Sequence, residues 1–476
     1  MLWIAVILPR LPLEVFLRGS PSIEREPRIV ADTHIVRVAN DVALAKGVRP
    51  GMALSAAYAL VPTMHVKKQE PQREIEAIER LATWVGQFTP NVSLENQEGL
   101  LLEVSGSLSL FDGLEPIMTR LRAGIIALGF TASIACAPTA RAAWWLASSG
   151  KETIVLDELS IEAKLAALSI YTLGWSREQL AMLTAIGTNT LGEVIALPRA
   201  GFARRFGREL LQALDQALGR AAEPRRFFTP PDRFEARLEL PAAVEAASAL
   251  LFAAKRLFTE LAGFLVARAS GVQRFDLLLE HDDQPATVMA FNLVASGRDE
   301  AHFTLLARER FERLALPAPV YALALHAPVL TPLTGVNLTL FRDQSDTSAD
   351  WTRLVERLRA RLGVAAVHGL TMVAEHRPEY VVRPSEPGTA APRLRFGERP
   401  LWLFAAPQPL IEIDAKPFLR GPLALVAGPE RIESGWWDGN DVARDYFIAQ
   451  DEDRSLLWVF RERSEARGWF LQGLFA

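Results

Sequence analysis

Transfer of a phosphoryl or nucleotidyl group by two metal ions needs carboxylate oxygens on neighbouring strands, because each hard divalent cation takes several oxygen ligands. The acids that could serve are Glu14, Glu95, Glu98, Glu103 and Asp112. None of them stands on the first apolar run, Leu2 to Leu8, which ends in Leu8-Pro9-Arg10. Glu98 closes a later segment, but its neighbour is Gly99, so no carboxylate pair forms there. Glu103 and Asp112, in Leu102-Glu103-Val104 and Leu110-Phe111-Asp112-Gly113, read as structural. Thiol and imidazole chemistry is equally short of residues. A single Cys136 excludes an internal disulfide and a cysteine-rich zinc site, and seven scattered histidines offer no pair at ligand spacing. No metal and no cofactor is expected.

The other chemistry legible in the chain is contact with an anion. Between Arg199 and Arg226 stand seven arginines (199, 204, 205, 208, 220, 225, 226) against Glu209, Asp215 and Glu223, a surplus of four in a chain of net charge −4. A solvated helix face is one reading. The preceding segment favours another: Leu173-Gly174-Trp175-Ser176, Ile186-Gly187 and Thr190-Leu191-Gly192-Glu193 resemble a helix-hairpin-helix, in which glycines let backbone N–H groups meet a phosphate. Gly187, Gly192, Arg204, Arg205, Arg208, Arg225 and Arg226 are therefore candidate DNA-backbone contacts. Lys255 and Arg256, with Arg268 and Arg274, offer a second surface.

The elements that must position these residues follow from periodicity. Strands are expected at Leu2 to Leu8, Ile35 to Val38, Gly99 to Val104 and Thr131 to Cys136. Helices are expected at Asn40 to Lys46, Ser55 to Leu60, Arg73 to Phe88 and Ile117 to Leu128, giving a sheet with helices on one side. Residues 161–219 read as short helices. After the linker Thr229-Pro230-Pro231-Asp232, a two-layer domain is expected: strands at Phe234 to Leu240, Val272 to Leu279, Thr287 to Leu293 and Pro319 to Leu325, with helices from about Ala242 to Arg268 and near Arg298 to Leu314. A further helix runs from Asp350 to Leu362. Prolines recur from Pro378 to Pro429, yet the last fifty residues hold Trp436, Trp437, Trp458 and Trp469, too aromatic for a flexible tail. At 476 residues and 50% hydrophobic content this is a multidomain α/β (α+β) protein, without a signal peptide or an apolar run long enough to span a bilayer, and so expected in the cytoplasm.

Four stretches, in order, resemble a Y-family (lesion-bypass, UmuC-like) DNA polymerase. Ala39-Asn40-Asp41-Val42-Ala43-Leu44-Ala45-Lys46-Gly47-Val48-Arg49-Pro50-Gly51-Met52 resembles the fingers motif, Phe88-Thr89-Pro90 through Leu100-Leu101-Leu102-Glu103-Val104 the carboxylate-bearing strand pair, and Thr131 to Pro138 the strand before the family's lysine helix. The hairpin and two-layer domain are similar to its thumb and little finger. The resemblance implies palm and fingers at 1–160 (fingers roughly 16–65), a thumb at 161–228, a little-finger-like domain at 232–370 and a C-terminal partner-binding region at 371–476.

It also implies that the catalytic positions are degenerate. Leu8 and Arg10 stand where the first metal-binding acid belongs, Gly99 replaces the acid beside Glu98, Asp41 and Leu44 replace the triphosphate-clamping Tyr and Arg, and Trp144-Trp145 occupy the region of the phosphate-binding lysine. With the terminal motif Gly428-Pro429-Glu430-Arg431-Ile432-Glu433-Ser434-Gly435-Trp436-Trp437-Asp438-Gly439, this set is similar to the catalytically inactive branch of the family in bacterial mutasomes. The resemblance implies a non-catalytic adaptor of translesion synthesis and SOS mutagenesis. Its partners would be DNA, the beta sliding clamp, a DnaE-type error-prone polymerase and a RecA-like accessory protein. The alternative is an active lesion-bypass polymerase with metals on Glu98 and another acid.

Asn337, Leu338, Leu340 and Phe341 resemble a sliding-clamp peptide, with Asn337 one methylene shorter than the usual Gln. Arg399-Pro400-Leu401-Trp402-Leu403-Phe404 is a rival without the amide. Trp436, Trp437, Trp458 and Trp469 are expected either in the core of a small β module or as partner-binding anchors.

Overall fold

The first apolar run becomes the middle strand of a sheet because both of its faces are covered. The computed structural model describes residues 1–19, 26–95, 98–333, 344–390, 392, 394, 397–463 and 468–475, with the backbone alone at 344–349. The chain divides into two units, Met1–Arg361 and Leu362–Ala476.

In the first unit, β1 (Trp3–Ile7) is followed by α1 (Leu11–Leu17), β2 (Arg28–Ala31), β3 (Val36–Ala39), α2 (Asp41–Ala45), α3 (Leu54–Leu60), β4 (His65–Lys68) and α4 (Pro71–Val85). Then come β5 (Val92–Glu95), β6 (Gly99–Glu103), α5 (Leu114–Ala127), β7 (Ser133–Ala137), α6 (Ala140–Ser148) and the short β8 (Thr153–Ile154). The palm-like sheet has the order β5-β6-β1-β7-β8, and β2, β3 and β4 form a separate fingers-like sheet. Side chains alternate across β1. Ile4 and Val6 pack with α4 and α5, whereas Trp3 and Ala5 pack with α6. The sheet thus carries helices on both sides, not on one, and α6 supplies the second layer.

Five short helices follow: α7 (Ile161–Ala166), α8 (Arg177–Ala185), α9 (Leu191–Ile195), α10 (Arg199–Phe206) and α11 (Arg208–Ala217). Their core is continuous with α6, so Trp144 and Trp145 are buried where they join this thumb-like bundle to the sheet.

The next module has β9 (Phe234–Val244), α12 (Leu251–Ala267), β10 (Ser270–His281), β11 (Thr287–Gly297), α13 (Glu300–Phe311) and β12 (Val320–Ala327). The strands lie in the order β11-β10-β12-β9, all antiparallel, with the short β13 (Thr331–Pro332) against the start of β10. Helices α12 and α13 cover one face. Ala242 belongs to β9, and the helix expected from about that residue begins only at Leu251: pairing of Val244 with Val320 extends the strand beyond its apolar alternation. A last helix, α14 (Gln344–Leu362), packs on this module.

Three glycines and one tryptophan weld the module to the palm-like layer. The Trp84 indole of α4 lies so close to Gly124 of α5 and Gly263 of α12 that a Cβ on either glycine would come within 2.1 or 2.2 Å of it. At Gly19 a Cβ would meet the Glu239 carbonyl oxygen at 2.6 Å. Deep in the seam, Arg18 is 3% exposed; it pairs with Glu260, donates from Nε to the Leu128 carbonyl at 2.8 Å and lies over the Phe130 ring.

In the second unit a hairpin of β14 (Gly369–Met372) and β15 (Val382–Ser385) precedes β16 (Trp402–Ile413), β17 (Lys416–Phe418), β18 (Ala424–Ser434), β19 (Val442–Gln450), β20 (Leu456–Glu462) and β21 (Trp469–Leu474). These six form one antiparallel sheet, β17-β16-β21-β20-β19-β18. Trp458 stacks on Tyr446 at 4.2 Å. Trp469 packs with Leu457, Val459 and Leu471.

Candidate functional site

The end of β1 opens into a cleft of about 900 Å3 lined by Leu8, Pro9, Pro12, Arg37, Gln69, Glu98, Arg141 and Trp175 among others. The positions that the sequence resemblance assigns to metal ligands, Leu8 and the Glu98–Gly99 pair, meet at this end of β1, and Glu98 is the one carboxylate among them. Leu8 is 3% exposed and belongs to the palm core; its N–H donates to the Glu98 carbonyl at 2.9 Å. Gly99 pairs with Ile7, and a Cβ on it would lie 2.0 Å from the Val6 carbonyl oxygen. The close backbone approach thus requires glycine at this point. Glu98 presents an exposed carboxylate to the cleft; Glu209 of α11 lines it as a second exposed acid, and Glu74 lines it buried.

Arg10 places a guanidinium at this end of β1, bound by both oxygens of Asp41 at the start of α2. Hydrogen bonding from Arg10 holds the Asp41 carboxyl below its ordinary value. An internal cation and its counter-ion thus join the palm-like and fingers-like sheets, and a metal here would face a like charge. Leu44 packs against the fingers-like core.

Glu14, Glu95 and Glu103 have partners elsewhere. Both Glu14 oxygens accept from the Thr131 N–H at 3.0 Å. Glu95 and Glu223 share Arg141 and Arg225 in a network at the junction with the thumb-like bundle. Glu103 accepts from Ser105 N–H and Asn91. Asp112 takes a left-handed conformation in the turn before α5. Among the described residues no three His, Cys, Asp or Glu side chains gather closely enough to hold a metal ion.

The expected DNA contacts separate into two groups. Arg204, Arg205, Arg208 and Arg226 are exposed on or after α10 and α11, with no carboxylate partner among the described residues. Arg225 is different: its side chain is 8% exposed and holds Glu95 and Glu223, so it is a buried tie and not a surface contact. Arg199 is paired with Asp215 and Arg220 with Glu162.

Most of the hairpin amides are spoken for as well. Gly187 N–H donates to Thr184, Thr188 to Leu183, Asn189 and Thr190 to the Glu193 carboxylate, and Leu191 to Leu168. Gly192 has a packing reason for its missing side chain, since a Cβ would stand 2.9 Å from that of Ala166. Glu193, three residues into the pattern, signals a capping box that takes up the Asn189, Thr190 and Glu193 N–H groups.

The second basic surface is dismantled by the fold. Lys255 is exposed on α12. Arg256 is wedged against Gly129 and Phe252, where burial brings its guanidinium down to about 10. Arg268 binds the carbonyls of Pro230 and Pro231, and Arg274 pairs with Asp276. The open face of this sheet, which carries Glu235, Arg237, Glu239, Asp276 and Glu280, is more acidic than basic.

The clamp-like Asn337, Leu338, Leu340 and Phe341 lie outside the described residues. In the rival segment, Leu401 and Trp402 are exposed, Trp402 and Leu403 pair with β21, and Arg399 pairs with Glu430.

The four tryptophans divide in two. Trp458 and Trp469 are core residues of the six-stranded sheet, so the partner-binding role expected of them is corrected: both rings are spent on packing. Trp436 and Trp437 are 81% and 58% exposed on the β18–β19 turn. That turn is built around Arg377, 2% exposed, which binds Asp438, Glu375 and the Asn440 carbonyl. Nothing in the sequence near Trp436 marks Arg377, some sixty residues earlier, as its support.

The impB/mucB/samB family profile matches residues 12–148, the fingers-like region and most of the palm-like sheet. Among solved structures, the Y-family DNA polymerase chimera Dbh-Dpo4(243-245)-Dbh and DinB from Sulfolobus solfataricus are each 16% identical, covering 70% of this chain and 100% of their own, with a TM-score of 0.42. The matched family and the multidomain α+β architecture define the class, a UmuC-like homologue of the Y-family polymerases. Protein ImuB of Caulobacter vibrioides, from two strains, is 30% identical over 457 residues, covering 90% of this chain and 100% of its own length. The chain belongs to the ImuB family. No helix among the described residues is long and apolar enough to cross a membrane.

Proposed function

We propose that this protein is a non-catalytic adaptor of error-prone translesion DNA synthesis in damage-induced mutagenesis. It holds DNA without reading sequence and links the beta sliding clamp to a DnaE-type polymerase and a RecA-like, ImuA-type accessory protein in the cytoplasm. The observation that carries the reading is the state of the β1 end: a core leucine, an obligatory glycine and an Arg10–Asp41 pair where metal and triphosphate ligands would stand. The exposed Glu98 is what the runner-up, an active polymerase, would rest on. Primer extension with magnesium or manganese separates the two. No incorporation is expected, and template-directed synthesis abolished by Glu98→Gln would overturn the adaptor reading.

DNA contact is assigned to Arg204, Arg205, Arg208 and Arg226. Four phosphate contacts on a single strand predict a loss of affinity of about 50-fold between about 50 and about 200 mM salt. In the Arg204→Ala/Arg205→Ala variant the loss should shrink to about 7-fold. Gel shifts across that range test it, and a salt-indifferent affinity would refute phosphate contact. For the clamp, Leu340→Ala/Phe341→Ala should abolish co-elution with the sliding clamp and leave DNA binding intact. Unchanged co-elution would point to Leu401 to Phe404 instead.

A further inference from the structure

Helix α14 carries an apolar stripe that faces solvent. Trp351, Leu354, Leu358 and Leu362 recur at helical spacing and are 52%, 47%, 37% and 52% exposed. A helix on a globular domain ordinarily turns such a stripe inward. Here polar bonds fix the opposite orientation. The buried Glu356 carboxylate accepts from the Val294 N–H at 2.6 Å and pairs with His302, while Arg353 holds Asp299 and Arg357 holds Glu309 of α13. Rolling the stripe toward the module would expel Val355, which is 3% exposed, and strip Glu356 of both partners.

The flank of the stripe is positive. Arg353, Arg357 and Arg361 follow one another at four-residue intervals. Arg313, in the turn after α13, donates to the Arg361 carbonyl, which brings two guanidinium side chains to the same end of the helix. Arg313 and Arg361 have no carboxylate partner among the described residues. Such a pair creates a local field that favours an acidic group from outside.

We propose that α14 is a docking site for an amphipathic helix of a partner protein, one whose apolar stripe is flanked by glutamate or aspartate. The stripe from Trp351 to Leu362 spans about 16 Å, or three helical turns, the length over which helix-in-groove recognition places its anchors. A second copy of the chain fits less well: beside the stripe its own α14 offers, among the described residues, a single exposed acid, Asp350, to set against Arg313 and Arg361. A membrane surface fits less well too, because Asp299 and Glu309 already neutralise Arg353 and Arg357. The proposal depends neither on the loss of catalysis nor on the clamp-like segment.

The test uses the full chain and two labelled synthetic helical peptides of about 18 residues with the same leucine stripe, one flanked by glutamates and the other by lysines. Fluorescence anisotropy should show the glutamate peptide binding at least about tenfold more tightly than the lysine peptide. Leu354→Asp/Leu358→Asp should lose at least about tenfold of that affinity with an unchanged circular dichroism spectrum, since both leucines are exposed. Arg361→Glu should shift the preference toward the lysine peptide. Equal affinity for the two peptides, or no binding of either, would overturn the proposal. So would binding only to phosphatidylglycerol vesicles, or a sedimentation-detected self-association that Leu354→Asp/Leu358→Asp abolishes.

Discussion

Gly99→Asp is expected to unfold the palm-like sheet and not to bring back a metal site. Its Cβ would stand 2.0 Å from the Val6 carbonyl oxygen and 3.0 Å from the Ile7 Cα, at the end of a strand pair in which the adjoining Val6, Leu100 and Leu101 are fully buried. Backbone cannot yield there without breaking the β1–β6 ladder, and a carboxylate forced against a carbonyl oxygen adds repulsion. A loss of about 4–5 kcal/mol, at the extreme of single substitutions, is expected in chemical denaturation. Leu8→Asp adds a buried charge in the core at the next strand end, whereas Glu98→Gln, at an exposed position, should change stability by less than about 0.5 kcal/mol. The double variant Leu8→Asp/Gly99→Asp is therefore expected in inclusion bodies. A soluble, folded double variant that incorporates nucleotides would show that the strand end is more permissive than its geometry.

The second large effect is expected at Arg18→Ala. Arg18 is the positive half of a buried pair between the palm-like layer and α12, with side-chain exposures of 2% for Arg18 and 5% for Glu260. Its removal strands the Glu260 carboxylate in a low-dielectric seam, at a cost of about 3–5 kcal/mol. Arg256 lies in the same seam, but it is itself short of partners: its Nε and Nη1 are buried without a hydrogen bond. Replacing both charges, as Arg18→Met/Glu260→Leu, should recover most of the loss, because two apolar side chains of similar volume need no counter-ion. Calorimetry of the two variants checks this. Equal destabilisation by the single and double replacements would mean that the seam depends on the shape of Arg18 and not on its charge.

Both effects arise from residues that carry little signal in the sequence. The helices and strands were largely legible, because the apolar runs of β1, β6 and β7 and the 3.6-residue pattern of α4 are local properties of the chain. The departures had local causes too: β9 runs on to Val244 through pairing with β12, and α6 turns its tryptophans onto the back of the sheet, giving it a second helical layer. The candidate site was legible only as substitutions. Leu8, Arg10, Asp41 and Gly99 could be picked out as the wrong residue types, but the ion pair between Arg10 and Asp41 joins residues 31 apart and has no periodic signature. Basic patches were the least legible. Charge counts give no hint that the Arg225 side chain is buried and Arg256 half-buried while Arg204, Arg205 and Arg208 face solvent, since that depends on which acids and rings the fold brings beside each guanidinium.

The sequence by itself determined the order of the elements, the missing acid at the end of the first strand and the placement of arginines after the hairpin, because each is written in residue type and local spacing. Only the tertiary structure decided that position 99 must be glycine, that two of the four C-terminal tryptophans are core and two are held out on the Arg377-braced turn, and that α14 faces its leucines outward. Those outcomes rest on backbone approach, burial and ion pairs between segments far apart in the chain. Such contacts exist only once the layers have packed.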